Sequence, residues 1–192
     1  MRKTHPVNAL KKLGIGLAFG AATIMSMPTS ALACTQIYMG GKLTADGNTY
    51  YGRAEDFGKR YLKHYGIEPA HEPGFKYSSI ESAFEYTSNK PTYRYSYVRD
   101  HPSNWMGRTD AYSEAGINEK GVSIAVLTLD SEPTKQDTGK PVLATTMAIR
   151  LVLDRAATTA EAVELLSKYD MFASSGRDYH FYITDATGDG RV

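Results

Sequence analysis

The chain has 192 residues, 22 Lys and Arg against 21 Asp and Glu, and a single cysteine. One cysteine excludes an internal disulfide, and a near-neutral balance with no local run of Lys or Arg removes the electrostatic case for nucleic-acid binding. The length suits one domain with a real core.

The first 33 residues carry a basic head (Arg2, Lys3, Lys11, Lys12), an apolar run from Leu13 to Met27, then Pro28 and small residues ending in Ala31-Leu32-Ala33. This is the layout of a secretory signal peptide, with cleavage expected after Ala33. The leader holds four of the bases and no acid, so residues 34–192 are net acidic by three charges. Export to the cell surface, the periplasm or the medium follows, and Cys34 becomes the first residue of the processed chain.

A terminal cysteine carries a thiol and a free α-amine on one carbon. The amine titrates at about 7.7 to 8.0 and a free thiol at about 8.5, so near neutrality one residue can supply both nucleophile and base. Protonated, the amine can return a proton to a leaving nitrogen, the general-acid half of amide hydrolysis. Three plainer readings stand beside this one. Cys34 is a small half-buried residue that merely follows the cut, or it is lipidated and ties an inactive binding protein to a membrane. Alternatively the apolar run stays as an anchor, although it is shorter than the ~20 residues needed to span a bilayer.

Thr35 to Met39 alternates Ile37 and Met39 with Gln36 and Tyr38 and reads as a strand. Asp46-Gly47 is a strong hairpin signal, and Thr49 to Arg53 is the returning strand. A hairpin returns the end of its second strand to the start of its first, so Arg53, Glu55 and Asp56 are expected beside Cys34. A guanidinium within a few ångströms of sulfur favours the thiolate, and a carboxylate such as Asp56 can hold the α-amine. Taken without the cysteine, the same three residues are a solvated charge cluster at a strand end.

Phe57 to Lys90 reads as loops and weak signals, with His64 and His71 as surface residues rather than metal ligands. Thr92 to Val98 alternates Tyr93, Tyr95 and Tyr97 with Thr92, Arg94 and Ser96, a strand with a half-buried aromatic face. His101 to Trp105 is a turn region. Ala115 to Gly121 places turn formers between two apolar segments and reads as a tight hairpin, and Val122 to Leu129 is apolar enough for a strand covered on both faces. Asp130 to Lys140 is a polar loop. A helix is predicted over Val142 to Ala156, and a second from the capping box Thr158-Thr159-Ala160-Glu161. Tyr179 to Thr184 returns to strand, and Asp185 to Gly190 to turn. Strands, helices and strands again make an α+β layered fold.

Four of these pieces resemble, in order, the N-terminal-nucleophile amide hydrolases, the group that includes the dipeptidase A family and the choloylglycine hydrolases (bile salt hydrolases and penicillin V acylases). They are Cys34-Thr35, Asp46-Gly47-Asn48-Thr49 leading to Gly52-Arg53-Ala54-Glu55-Asp56, Gly116-Ile117-Asn118-Glu119-Lys120-Gly121-Val122, and the helix Thr158 to Leu166 before an aromatic strand. The Arg-x-Glu-Asp spelling and the Gly-Ile-Asn-Glu-Lys-Gly-Val turn are the more dipeptidase-like features.

The resemblance implies a four-layer αββα sandwich over residues 34–192, incomplete at its C-terminal end, since the family's later asparagine and arginine have no counterpart here. It implies a thiol hydrolase of dipeptides or linear N-acyl amides working through an acyl-thioester, with no metal or other cofactor. Cys34 is the implied nucleophile, Arg53 the cation beside it and Asp56 the partner of the α-amine. Thr128 lines up with the choloylglycine hydrolases' oxyanion asparagine, and with Asn118 it is the implied oxyanion or substrate-binding residue. A hydroxyl donates only one hydrogen bond, and a lost oxyanion donor costs roughly 3 to 4 kcal/mol.

Overall fold

The computed structural model describes residues 34–56, 62–78, 84–100, 113–129, 136–173 and 178–192. The expected leader over 1–33 and the turn at 101–105 lie outside the described residues.

The centre of the described unit is an antiparallel sheet of six strands in the order β12-β11-β8-β7-β6-β3. Its members are β3 (Lys63–Glu68), β6 (Tyr95–Asp100), β7 (Ser113–Asn118), β8 (Ser123–Leu129), β11 (Asp178–Thr184) and the short β12 (Gly190–Arg191). The hairpin strands β1 (Thr35–Met39) and β2 (Tyr50–Ala54) pair only with each other. Small ribbons are made by β4 (Lys76–Ser78) with β5 (Glu85–Thr87), and by β9 (Val142–Ala144) in parallel with β10 (Asp170–Phe172). The stretch read as loops from Phe57 to Lys90 therefore holds three strands. Two of these are only three residues long, too short for a period-two pattern, and β3 alternates Tyr65 and Ile67 outward into solvent.

Two helices cover one face of the sheet. Helix α1 (Thr145–Arg155) starts three residues later than expected because Val142 to Ala144 forms β9. Its buried Ile149, Val152 and Leu153 pack on Tyr95, Ile124, Val126 and Ile183 from alternate positions of the sheet. Its other side, Met147, Ala148 and Leu151, packs with Phe84 and Leu143 under the ribbons. Full burial of each such aliphatic side chain contributes about 1.5–3 kcal/mol, which is why α1 is the axis of the core. Gly116 is required where α1 crosses β7: a Cβ there would stand 2.5 Å from Leu153 Cδ1 and 2.6 Å from the Ser96 carbonyl oxygen.

Helix α2 (Thr159–Leu166) has the capping box the sequence indicates. The Glu161 N–H donates to Thr158 Oγ1, and the Glu161 carboxylate accepts from the Ala157 N–H at 2.8 Å. Asp185, in the turn between β11 and β12, accepts from the Thr159 N–H and from Thr187. Burial works to raise its carboxyl, but these bonds outweigh it and hold the group down to about 2.

The hairpin packs on the opposite face of the sheet. Tyr51 stacks on Tyr182 with centroids 5.5 Å apart, Tyr38 meets the same ring edge-on, and the Tyr38 hydroxyl donates to the Gly188 carbonyl. Gln36, Tyr38, Tyr51 and Arg53 thus face inward, while Ile37 (64% exposed) and Met39 (43% exposed) face solvent.

Candidate active site

The hairpin register sets the site. Gln36 lies opposite Arg53 and Thr35 opposite Ala54, so Cys34 sits one residue beyond the last pair, beside the end of β2. Both Cys34 and Arg53 have the parity of the inward-facing residues and are half-buried. Arg53 Nη2 stands 3.9 Å from Cys34 Sγ.

Arg53 is held from several directions. Its Nε–H donates to the Val126 carbonyl at 3.0 Å. That carbonyl lies one residue past the Ala115–Ala125 pair, where the ladder between β7 and β8 stops. Nη1 lies 3.3 Å from Glu55 and 3.6 Å from Glu114, and the arginine side chain is only 13% exposed. Lys63 Nζ bridges the two carboxylates, 2.6 Å from Glu55 Oε1 and 2.8 Å from Glu114 Oε1. Burial, reinforced by a hydrogen bond with Glu55, pushes the Glu114 carboxyl up to about 8, against the opposing pull of Lys63. Two acidic groups and Lys63 therefore surround the guanidinium that stands beside the sulfur.

The structure brings together two of the five expected site residues. Asp56 is exposed, two residues beyond the end of β2. Thr128 shares its β8 face with Ile124 and Val126, directly across from Tyr179, and so belongs to the side packed on α1 rather than the side approached by the hairpin. Asn118, the other expected oxyanion or substrate-binding residue, closes β7. It is 4% exposed, and its amide is committed to the scaffold. The NH2 group donates to the Leu153 and Ala156 carbonyls at the end of α1, and Oδ1 accepts from the Lys120 and Val122 N–H groups of the β7–β8 turn. Two donors and two acceptor sites are all that an amide possesses.

Glu114 and Lys63 were not legible as site residues. Neither falls in a motif; Glu114 meets Arg53, and Lys63 meets the two acids beside it, because β3 and β7 flank β6 in the sheet. A cavity of about 710 Å³ opens beside the hairpin, between Asn48 to Tyr51 and the sheet face bearing Tyr65, Val98, Ile117 and Ser123. Cys34 and Arg53 are not among its walls. Among the described residues no cluster of His, Cys, Asp and Glu has metal-binding geometry.

Comparison with known proteins places this arrangement. The chain is 31% identical over 164 residues to "Probable dipeptidase B" of Streptococcus pyogenes serotype M1, a match covering 82% of this chain and 32% of that protein. It is 32% identical over 111 residues to "Probable dipeptidase" of Salmonella dublin, covering 57% of this chain and 24% of that one. Among solved structures, a variant of conjugated bile acid hydrolase from Clostridium perfringens superposes with a TM-score of 0.58 at 20% identity, covering 82% of this chain and 46% of that chain. Penicillin V acylase from Agrobacterium tumefaciens gives 0.55 at 23% identity, covering 81% and 44%. The likeness to these two is one of fold, the N-terminal-nucleophile hydrolase sandwich. The described residues supply one helical layer, the six-stranded sheet and, on its other face, the two-stranded hairpin. The chain spans about a third of the length of the curated relatives it matches. The model of peptidase family C69 matches residues 33–178, and with the sequence relatives this shows that the chain belongs to peptidase family C69.

Proposed function

We propose that the protein is an exported amide hydrolase whose nucleophile is the thiol of Cys34, freed as the N-terminus by cleavage after Ala33. The observation that carries this reading is the approach of Arg53 Nη2 to within 3.9 Å of Cys34 Sγ across the hairpin. The leader reading rests on the basic head, the apolar run and the small residues ending in Ala31-Leu32-Ala33. Dipeptides are the first substrate class to test, because the sequence relatives carry dipeptidase names. Linear N-acyl amides come second, on the strength of the structural neighbours.

In the proposed reaction the α-amine of Cys34 takes the thiol proton and the sulfur attacks the amide carbon, forming a C–S bond and a tetrahedral oxyanion. Collapse breaks the C–N bond, and the α-ammonium gives its proton to the leaving nitrogen. Water, deprotonated by the same amine, then attacks the thioester and releases the acid and the thiol. Arg53 favours the sulfur anion at each stage at which it forms, and the family resemblance, rather than a contact, assigns Asp56 to the α-ammonium. No step requires a metal or an organic cofactor.

Cys34→Ala and Cys34→Ser in the full-length protein, assayed on panels of dipeptides and N-acyl amides, test the assignment. Loss of turnover in the alanine variant is expected; unchanged turnover in both ends the proposal. Intact mass of the exported protein reads the other requirement. A terminus at Cys34 with a free thiol is expected, whereas a diacylglycerol adduct there would identify a membrane-tethered protein with its amine mechanism blocked.

A further inference from the structure

Strand β7 carries a bulge at the site. Val98 of β6 pairs with Ala115, but Arg99 pairs with Ser113, so Glu114 is the extra residue and has no partner across the ladder. The bulge changes which side of the sheet Glu114 serves. Gly116 lies against Leu153 of α1, while Ala115 and Ile117 face the cavity on the other side. Strict alternation from Gly116 would turn Glu114 back toward α1. Instead its carboxylate meets Lys63 Nζ at 2.8 and 2.9 Å and Arg53 Nη1 at 3.6 Å. A bulge next to an active site is a device for re-aiming a side chain.

Building on the reading of Cys34 as nucleophile, we propose that Glu114 is a positioning residue that holds the Arg53 guanidinium on the Cys34 sulfur. Arginine has a long flexible stem, and a 3.9 Å contact to sulfur is too weak to fix it. Glu55 lies two residues along the same segment and reaches the sheet through Lys63 of β3, whereas Glu114 is itself a residue of β7. The direct ties to the six-stranded sheet are the Val126 carbonyl and Glu114, the latter braced by Lys63 from β3 as Glu55 also is. With Nε on the Val126 carbonyl and Nη1 hydrogen-bonded to Glu55 and 3.6 Å from Glu114, Nη2 is the edge left to face Cys34. Burial and Glu55 push the Glu114 carboxyl upward, and an amide oxygen in the same place would keep an acceptor for the guanidinium and Lys63. Glutamine should therefore replace it well, and alanine should not.

The test is the rate of iodoacetamide alkylation of Cys34 at pH 7, which reads the sulfur without requiring turnover, in a double-mutant cycle with Arg53→Met. Expected are a several-fold slower rate for Glu114→Ala, a rate within twofold of the parent for Glu114→Gln, and no further slowing when Glu114→Ala is added to Arg53→Met. Equal slowing by Glu114→Ala in both backgrounds would show that Glu114 acts other than through Arg53 and would overturn the proposal. So would an unchanged or faster rate in Glu114→Ala while Arg53→Met is slow. An unchanged rate in Arg53→Met itself would instead refute the underlying pairing of arginine and sulfur.

Discussion

Arg53 Nη2 and Cys34 Sγ, nineteen positions apart in sequence, stand 3.9 Å from each other at the open end of one hairpin. The pairing depends on register. Gln36 opposite Arg53 leaves Cys34 just past the last cross-strand pair, and a slip of one residue would turn the arginine outward with Ile37 and Met39. The arginine fork matters as well as its charge, since three of its nitrogens have separate partners.

Arg53→Lys should accordingly lose most of the effect of the native residue. An ammonium cannot serve the Val126 carbonyl, Glu55 and the sulfur together. Hydrogen bonds to charged groups contribute about 1.5–3 kcal/mol, so the expected loss in kcat/KM is about tenfold to a hundredfold. Steady-state kinetics on the best dipeptide measures it; a lysine variant within twofold of the parent would show that charge alone suffices.

Asn118→Ala should act on stability. The substitution strands the Leu153 and Ala156 carbonyls at the end of α1 and two N–H groups of the β7–β8 turn. A loss of about 2–4 kcal/mol is expected from unsatisfied buried groups, read as a lower urea midpoint. Alkylation of Cys34 in the still-folded variant should be unchanged.

Two glycines make a matched pair. Gly116→Ala drives a methyl against Leu153 and the Ser96 carbonyl and should cost about 1–3 kcal/mol. Gly52→Ala, with nothing within 4 Å of the added carbon, should change stability by no more than about 0.5 kcal/mol. Chemical denaturation of both variants separates close packing of α1 from any general intolerance of alanine.

The pH dependence of stability has two limbs of opposite sign. Glu114 titrates near 8 when folded and near its ordinary 4.5 when unfolded, so the folded state holds the extra proton between those values. Its contribution is complete below about pH 4.5 and is lost as pH rises through 8. Asp185, held down to about 2 from 3.8, contributes above about pH 3.8 and loses that contribution as pH falls through 2. Unfolding free energies measured from pH 2 to 9 should therefore fall at both ends. Glu114→Gln should flatten the alkaline limb alone, and an unaltered alkaline limb would contradict the assignment.

Much of this was legible in the residues. The Asp46-Gly47 turn fixed the first hairpin, and with it the neighbourhood of Cys34 and Arg53; Thr158 and Glu161 marked the start of α2. What escaped had physical reasons. Ile37 and Met39 form the more apolar side of β1 yet face solvent, because Tyr38 and Tyr51 use their rings against Tyr182. Asn118 sits in a motif that invites a chemical role, and only the folded chain reveals that α1 consumes its amide. Glu114 reaches the site through a bulge, and a one-residue irregularity leaves no trace in hydrophobic alternation.

The most direct measurement is rapid acid quenching of the full-length protein during turnover of a dipeptide, followed by intact and peptide mass spectrometry. The expected result is a mass gain equal to the N-terminal aminoacyl group, located on a peptide that begins at Cys34 and removed by hydroxylamine. Turnover that continues in Cys34→Ala, or an acyl group carried on any other residue, would contradict the thiol mechanism.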